Sequence, residues 1–271
     1  MTHEISRVID GRQRSGLFSV ATVVLENLIL RPEKVQYRVE LGPEYLYFDS
    51  KVGPNVWEYF FNQPQKPPET NLRFEASPVV ERGFIFDRTG LLDITNRTPS
   101  YDEAVLQAAK IFRDEIGFSA LASTRLEKAF EKTWVDGRVL AVHRRETDFN
   151  AHGLILPLAA FFKEVDPYVD SGYAVFLATD SHSALAKFRK RYGKKRILSS
   201  TSSRSRFGRP LHTSRHMFKS PAEIGFEALT DAYLLSRGDH LIRTRSNVTT
   251  FSKILNPLLP TQEIDQTVEY S

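Results

Sequence analysis

Apolar residues recur at helical spacing over residues 17–30, LFSVATVVLENLIL, and the RSG before them reads as a tight turn. VQYRVEL and YLYFD alternate as strands do, and NVWEYFFNQP predicts a short aromatic helix stopped by Pro64. Five prolines, at 64, 67, 68, 78 and 99, break the stretch 64–100 into short apolar runs such as GFIFD, so it predicts mainly loop. SYDEAVLQAAKIFRDEIGFS follows as an amphipathic helix with Asp102 and Glu103 in its first turn and Gly117 near its end. ALASTRLEKAFEKTW predicts a second helix.

From Val135 the pattern becomes strand, helix, strand. RVLAVH predicts a strand, HGLILPLAAFFKEV contains a helix, YAVFLATD is a strand, and SHSALAKFRKRYG is a helix capped by Ser181. KRILSS is a further strand. Beyond a polar loop over 199–220 come AEIGFEALTDAYLLSRG as helix, DHLIRT as strand and SNVTTFSKILNP as helix. Parallel strands joined by helical crossovers define an α/β, Rossmann-like half. The expected organisation is a small, irregular N-terminal α/β half over 1–134 and a Rossmann-like half over 135–271.

Sheets of this kind bind ligands beyond the carboxyl ends of their strands. Three polar clusters fall at such ends: His143 to Asp148, Thr179-Asp180-Ser181, and Thr244-Arg245-Ser246-Asn247. Their convergence on one sheet edge marks that edge as the candidate site. Six polar residues straight after a β-run are costly to bury unless they pair or meet a charged ligand. Read locally, His143 to Asp148 forms either a self-satisfied salt-bridge loop, with Arg145 paired to Asp148 or Glu146, or an anion site. Asp180 read alone caps the helix beginning at His182. Asp231 sits mid-helix among apolar neighbours and needs a partner, either backbone or ligand. An arginine at a strand end offers a permanent charge and a bidentate fork, and TRSNV opens a helix whose first amides suit a pyrophosphate.

Composition narrows the classes. Hydrophobic residues make up 41% and charged residues 26%, as in a globular protein with a proper core. The absence of cysteine excludes disulfides, thiolate catalysis and Cys-ligated zinc. Neither a G-x-x-x-x-G-K-[ST] loop nor a G-x-G-x-x-G turn is present, and the lack of any D-x-D pair weighs against a metal-bridged nucleotide-sugar site. Any phosphates must then be met by arginine and backbone amides. The formal charge is +4. The densest basic run, RKRYGKKR from Arg189 to Arg196, ends a helix, where cations favour the dipole, so it reads as a solvated helix end and not a nucleic-acid stripe. RSRFGRPLHTSRH, over 204–216, reads as an acceptor-facing, phosphate-facing or surface loop. The N-terminus lacks the apolar core of a signal peptide, and the longest oily segments are too short or too interrupted to span a bilayer. A soluble, cytoplasmic protein without an integral membrane segment is expected.

VLAVHRRETDF, VFLATDS with ALAKFRKRYG after it, and EALTDAYLLSRGDHLIRTRSNVTTFSKILNP occur in the order and spacing seen in fucosyltransferases. The chain resembles the α1,6-fucosyltransferases, the nodulation fucosyltransferase of rhizobia and the protein O-fucosyltransferases, most strongly over residues 138–257. The resemblance implies a GT-B-like enzyme with two Rossmann-like halves facing a cleft. It implies GDP-fucose as donor, no metal or other cofactor, inversion at the anomeric centre, and a glycan or other saccharide as acceptor, as in polysaccharide biosynthesis. By position, His143 would lie beside the nucleotide and Arg145 would bind the β-phosphate. Asp231 resembles the guanine-contacting acid, Thr244, Ser246 and Asn247 would surround the phosphates, and Asp180 would support the site.

The chain also departs from that pattern. The α1,6 enzymes have a second arginine where this chain has Glu146, and a lysine and a glutamate where it has Phe149 and Gly153. The catalytic base therefore does not carry over, and Asp148 and His152 are the candidates. The competing reading is a nucleotide-sugar or glycan-binding protein of the same fold that has lost its base.

Overall fold

The computed structural model describes residues 5–10, 16–29, 35–64, 101–146, 156–205, 219–244 and 246–264. In chain order its elements are β1 (Ile5–Asp10), α1 (Leu17–Ile29), β2 (Val35–Glu40), α2 (Trp57–Phe60), α3 (Tyr101–Ile111) and α4 (Ala120–Thr133), followed by β3 (Val139–Arg144), α5 (Leu158–Asp170), β4 (Ala174–Thr179), α6 (His182–Tyr192), β5 (Ile197–Leu198), α7 (Pro221–Leu235), β6 (His240–Arg243), α8 (Asn247–Leu255) and β7 (Thr261–Glu263). Two compact units emerge, one of residues Met1–Thr124 with Ser220–Phe226, the other of Arg125–Lys219 with Glu227–Ser271. The divisions thus fall inside α4 and α7, where the sequence has no linker composition to show them. Among the described residues no helix is long and apolar enough to cross a membrane.

The first unit contains a parallel β1–β2 pair whose register runs from Ile5 opposite Val35 to Asp10 opposite Glu40. Its β1 escaped the sequence reading because the apolar residues of ISRVID, Ile5, Val8 and Ile9, fall at i, i+3 and i+4 and do not alternate as a strand's would. YLYFD, expected as a strand, is instead a run of turns, with Tyr45 N–H donating to Gly42 O and Phe48 N–H to Tyr45 O. Its alternation arises because the turns tuck the Tyr45 and Tyr47 rings inward, edge to face at 5.8 Å. Asn55 stands in for a strand partner, accepting from Leu41 N–H and donating to Val39 O. The aromatic segment over 57–61 fills the core, where Phe60 meets Phe226 at 4.7 Å and Phe61 stacks on Phe118. α3 does not run straight to Gly117. It widens into a π-helical turn over Phe112–Ile116, and Gly117 ends it with a φ of 65° that suits glycine.

In the second unit five parallel strands lie in the order β5-β4-β3-β6-β7. Counted from β3, this is the order 3-2-1-4-5 of a doubly wound half, and the chain reverses direction across the sheet between β3 and β6. All six residues of β3 are buried, as a central parallel strand covered on both faces requires. Leu140, Val142, Leu177 and Ile242 pack with Phe161 and Val165 of α5 and Phe188 of α6 in one core. The last strand, β7, was not anticipated, because TQE is a polar, three-residue edge strand.

Candidate functional site

The registers set the site. Arg144 lies opposite Thr179, and His143 lies opposite both Ala178 and Arg243, so β3, β4 and β6 end level with one another. The first residues beyond them are Arg145, Asp180 and Thr244. The three clusters picked out in the sequence therefore do share one sheet edge, and those after β3 and β6 flank the switch point.

Within HRRETD, strand alternation separates the two arginines. Arg144 is the last residue of β3 and is buried; its guanidinium lies over the Phe161 ring at 4.7 Å and its Nε donates to Glu146 Oε1 at 2.7 Å. Glu146 is thereby used as the counter-ion of Arg144, not of Arg145. Arg145 emerges half-buried at the strand end. Asp180 does not cap α6, since Ser181 does, accepting from Ala184 N–H. Instead the Asp180 carboxylate accepts the backbone N–H of Glu146 at 2.9 Å, tying the turn that carries Arg145 to the end of β4. His143 is buried inside β3, one pleat before the edge.

Across the switch point, Ser246 caps α8. Its hydroxyl accepts from Thr249 N–H and the Thr249 hydroxyl accepts from Ser246 N–H, a reciprocal capping box. Thr249 Oγ1 also donates to Thr244 O, which draws the strand end onto the helix. Ser246 and Thr244, expected to contact phosphate, thus build the helix mouth. Asn247 and Val248, the first two helical residues, have no intrahelical acceptor for their N–H groups and point the positive end of the helix outward.

The third part of the site involves residues the sequence reading passed over. Asp231, in α7, accepts from Ser200 Oγ at 2.5 Å and Ser202 Oγ at 3.2 Å, both at Oδ1. These serines follow β5 in the loop SSTSSR, and Arg204 holds that loop in place by donating to Ser200 O and Ser202 O. Oδ2 receives no hydrogen bond from the described residues and is not sealed from solvent. Burial pushes the Asp231 carboxyl up to about 6, against the pull of the serine hydroxyls and of Arg204. Glu227, one turn earlier, is engaged by Ser203 and Lys219. The signal for this cluster was the serine-rich run directly after a strand, which composition alone reads as loop.

Among the described residues no group of three or more His, Cys, Asp or Glu could hold a metal ion. Asp148 and His152, the candidate bases, lie outside the described residues, as do Phe149, Gly153, Arg245, the stretch 65–100 and most of RSRFGRPLHTSRH.

A 3-2-1-4-5 parallel sheet with an arginine and a capped helix mouth at its switch point is the architecture of a Rossmann-like, doubly wound α/β half. Among solved structures the whole chain matches GT-B-like fucosyltransferases. The fucosyltransferase NodZ from Bradyrhizobium superposes with a TM-score of 0.58 at 16% identity, covering 98% of each chain. NodZ α1,6-fucosyltransferase co-crystallised with GDP gives 0.58 at 17% identity over 97% of this chain and 96% of that one. POFUT1 in complex with GDP gives 0.54 at 10% identity over 97% and 99%. At these identities the likeness establishes the fold, which is the one the motif resemblance implied. No family model and no curated protein sequence matches the chain.

Proposed function

We propose that the chain is an inverting, metal-independent glycosyltransferase that moves a sugar, fucose from GDP-fucose, onto a hydroxyl of a glycan or other saccharide. The observation that carries this reading is Asp231, whose carboxylate is fixed at one oxygen by two serines of the loop that leaves β5, at the same carboxyl edge of the sheet as Arg145 and the mouth of α8. A carboxylate oxygen is an acceptor only, so it suits a base edge made of N–H donors, as guanine has, and repels one with a ring acceptor, as adenine has. Arg145 and the α8 amides meet the diphosphate. As the acceptor oxygen bonds to the anomeric carbon from the face opposite GDP, the bond from that carbon to the diphosphate oxygen breaks. The leaving group carries off the electron pair, and the guanidinium with the helix dipole stabilises that charge. The acceptor's proton passes to a base, for which Asp148 and His152 are the candidates. The enzyme works in the cytoplasm, in polysaccharide biosynthesis.

Titration of the full chain with GDP, UDP, dTDP and ADP tests the reading. GDP is expected to bind well ahead of the other three, and a response confined to UDP overturns it. Arg145→Ala is expected to weaken GDP by about 2 kcal/mol, the scale of hydrogen bonds to a charged group, and to abolish sugar transfer. Unchanged GDP affinity in that variant contradicts the proposed role of Arg145.

A further inference from the structure

The hydroxyls around Asp231 form a closed chain. Ser200 Oγ lies 2.7 Å from Ser202 Oγ and donates its one proton to Asp231 Oδ1 at 2.5 Å, and Ser202 Oγ donates to the same oxygen at 3.2 Å. Both serines are buried. Arg204 donates through Nη1 to Ser202 O at 2.9 Å and through Nη2 to Ser200 O at 3.1 Å, so one guanidinium spans the two residues whose hydroxyls grip the acid. Two donors on one oxygen occupy its acceptor positions and stop the carboxylate from turning about its last bond.

We infer that Ser200 and Ser202 are positioning residues: they anchor Oδ1 of Asp231 and hold Oδ2 as a fixed acceptor for the N–H edge of the nucleobase, with Arg204 locking the loop that carries them. This rests on the base contact proposed above. A flexible carboxylate would lose rotational freedom on binding, whereas a clamped one has already lost it, so the clamp raises affinity by preorganisation. It also keeps the acid charged. Burial works against ionisation, the serine hydrogen bonds favour it, and Arg204 adds to them, while Glu227 opposes. The other charges nearby are Lys219, paired to Glu227, and Arg189 of α6, close enough to Arg204 to oppose its charge. Without the hydroxyls the carboxyl takes up its proton at higher pH, and a neutral acid no longer accepts two N–H donors well.

The test is calorimetric titration of the full chain with GDP across about pH 5.5 to 9, spanning the titration of a shifted carboxyl, together with nucleotide-free melting over the same range. The variants are Ser200→Ala/Ser202→Ala, Ser200→Thr and Asp231→Asn. In the wild type, GDP binding weakens as pH falls through about 6. In the double alanine variant the midpoint moves up by about one pH unit, so GDP binds about twofold more weakly near pH 7, approaches a roughly tenfold loss at the acid end of the range, and recovers at alkaline pH. Ser200→Thr keeps the hydroxyl and the wild-type midpoint. An unmoved midpoint in the double variant, or a loss of affinity by the same factor at every pH, overturns the inference. Two controls separate it from the base contact itself. GDP binding by Asp231→Asn as tight as wild type overturns the base contact, and the role in recognition with it. The nucleotide-free melts address the clamp alone: the window in which melting temperature falls with rising pH should extend to higher pH in the double variant, and an unshifted window rejects the clamp whatever GDP does.

Discussion

Asp231→Asn should make the protein more stable near neutral pH while removing its grip on GDP. The carboxyl, ordinarily near 3.8, is pushed up to about 6 by burial, so the ionised form is the unfavourable one in the folded chain. The native state therefore binds more protons than the unfolded state between these two values, and stability falls as pH rises through that window. Above about 6 the penalty is fully present. A shift of about two units corresponds to roughly 3 kcal/mol, at 1.36 kcal/mol per unit. Asparagine approximates the neutral acid: its Oδ1 still accepts from both serines, and its amide replaces the outward oxygen. It forfeits the attraction of Arg204, so a gain of about 1–3 kcal/mol is expected at neutral pH, shrinking toward zero near pH 4. Urea unfolding can isolate the second unit, because Trp134 stacks there on Phe130 while Trp57 lies in the core of the first. A variant that is less stable than wild type at neutral pH refutes the reasoning, since it would mean that the serines and Arg204 outweigh burial.

Further outcomes follow from other contacts. Glu146→Ala leaves the buried Arg144 guanidinium without its 2.7 Å partner and should cost about 3 kcal/mol in the same assay, whereas Arg144→Met with Glu146→Gln should stay within about 1 kcal/mol of wild type. Asp180→Ala removes the acceptor for Glu146 N–H and should lower the transfer rate more than it lowers melting temperature; Asp180→Asn, which keeps an acceptor oxygen, should retain most of the rate in a GDP-release assay. Gly225→Ala would place a Cβ 2.5 Å from Phe60 Cζ and 3.2 Å from Tyr47 Cγ, and Phe60 is fully buried and cannot yield. The helix-propensity gain of about 1 kcal/mol is therefore overridden, for a net loss of about 1–3 kcal/mol read at Trp57.

How much of this was legible beforehand depended on whether a residue's partner was near in sequence. The second unit announced itself because β3, β4 and β6 are apolar runs between capped amphipathic helices, and Ser181 and Ser246 are caps whose backbone donors lie three residues on. The clamp on Asp231 was not legible: Ser200 and Ser202 meet it from 31 and 29 residues away, and a serine-rich loop looks the same with or without such a partner. The same limit hid the use of Asp180, whose backbone donor is 34 residues distant. YLYFD misled for a different reason. Its period-2 alternation is a burial pattern, and a turn that tucks alternate tyrosines inward produces it as readily as a strand.

Glu146 bears on whether the site is active or relict. Taken as a sequence departure, an acid in place of a second arginine looks like the loss of a phosphate-binding charge. In the structure its charge is already spent on Arg144, a residue buried in the strand and stacked on Phe161, so the pair sums to no net charge at the edge. An unpaired acid beside a diphosphate would repel it; a paired one does not. Under the proposed reading Arg145 and the α8 amides then carry the leaving group between them, and the contribution of Arg145 should be larger than where two arginines share the task. Arg145→Lys tests this directly. A point charge without the bidentate fork should leave measurable GDP binding but lower the transfer rate by about two orders of magnitude, the scale of one lost transition-state donor. If Arg145→Lys instead transfers sugar at the wild-type rate, the fork is not what stabilises the departing diphosphate, and the helix mouth must do so alone.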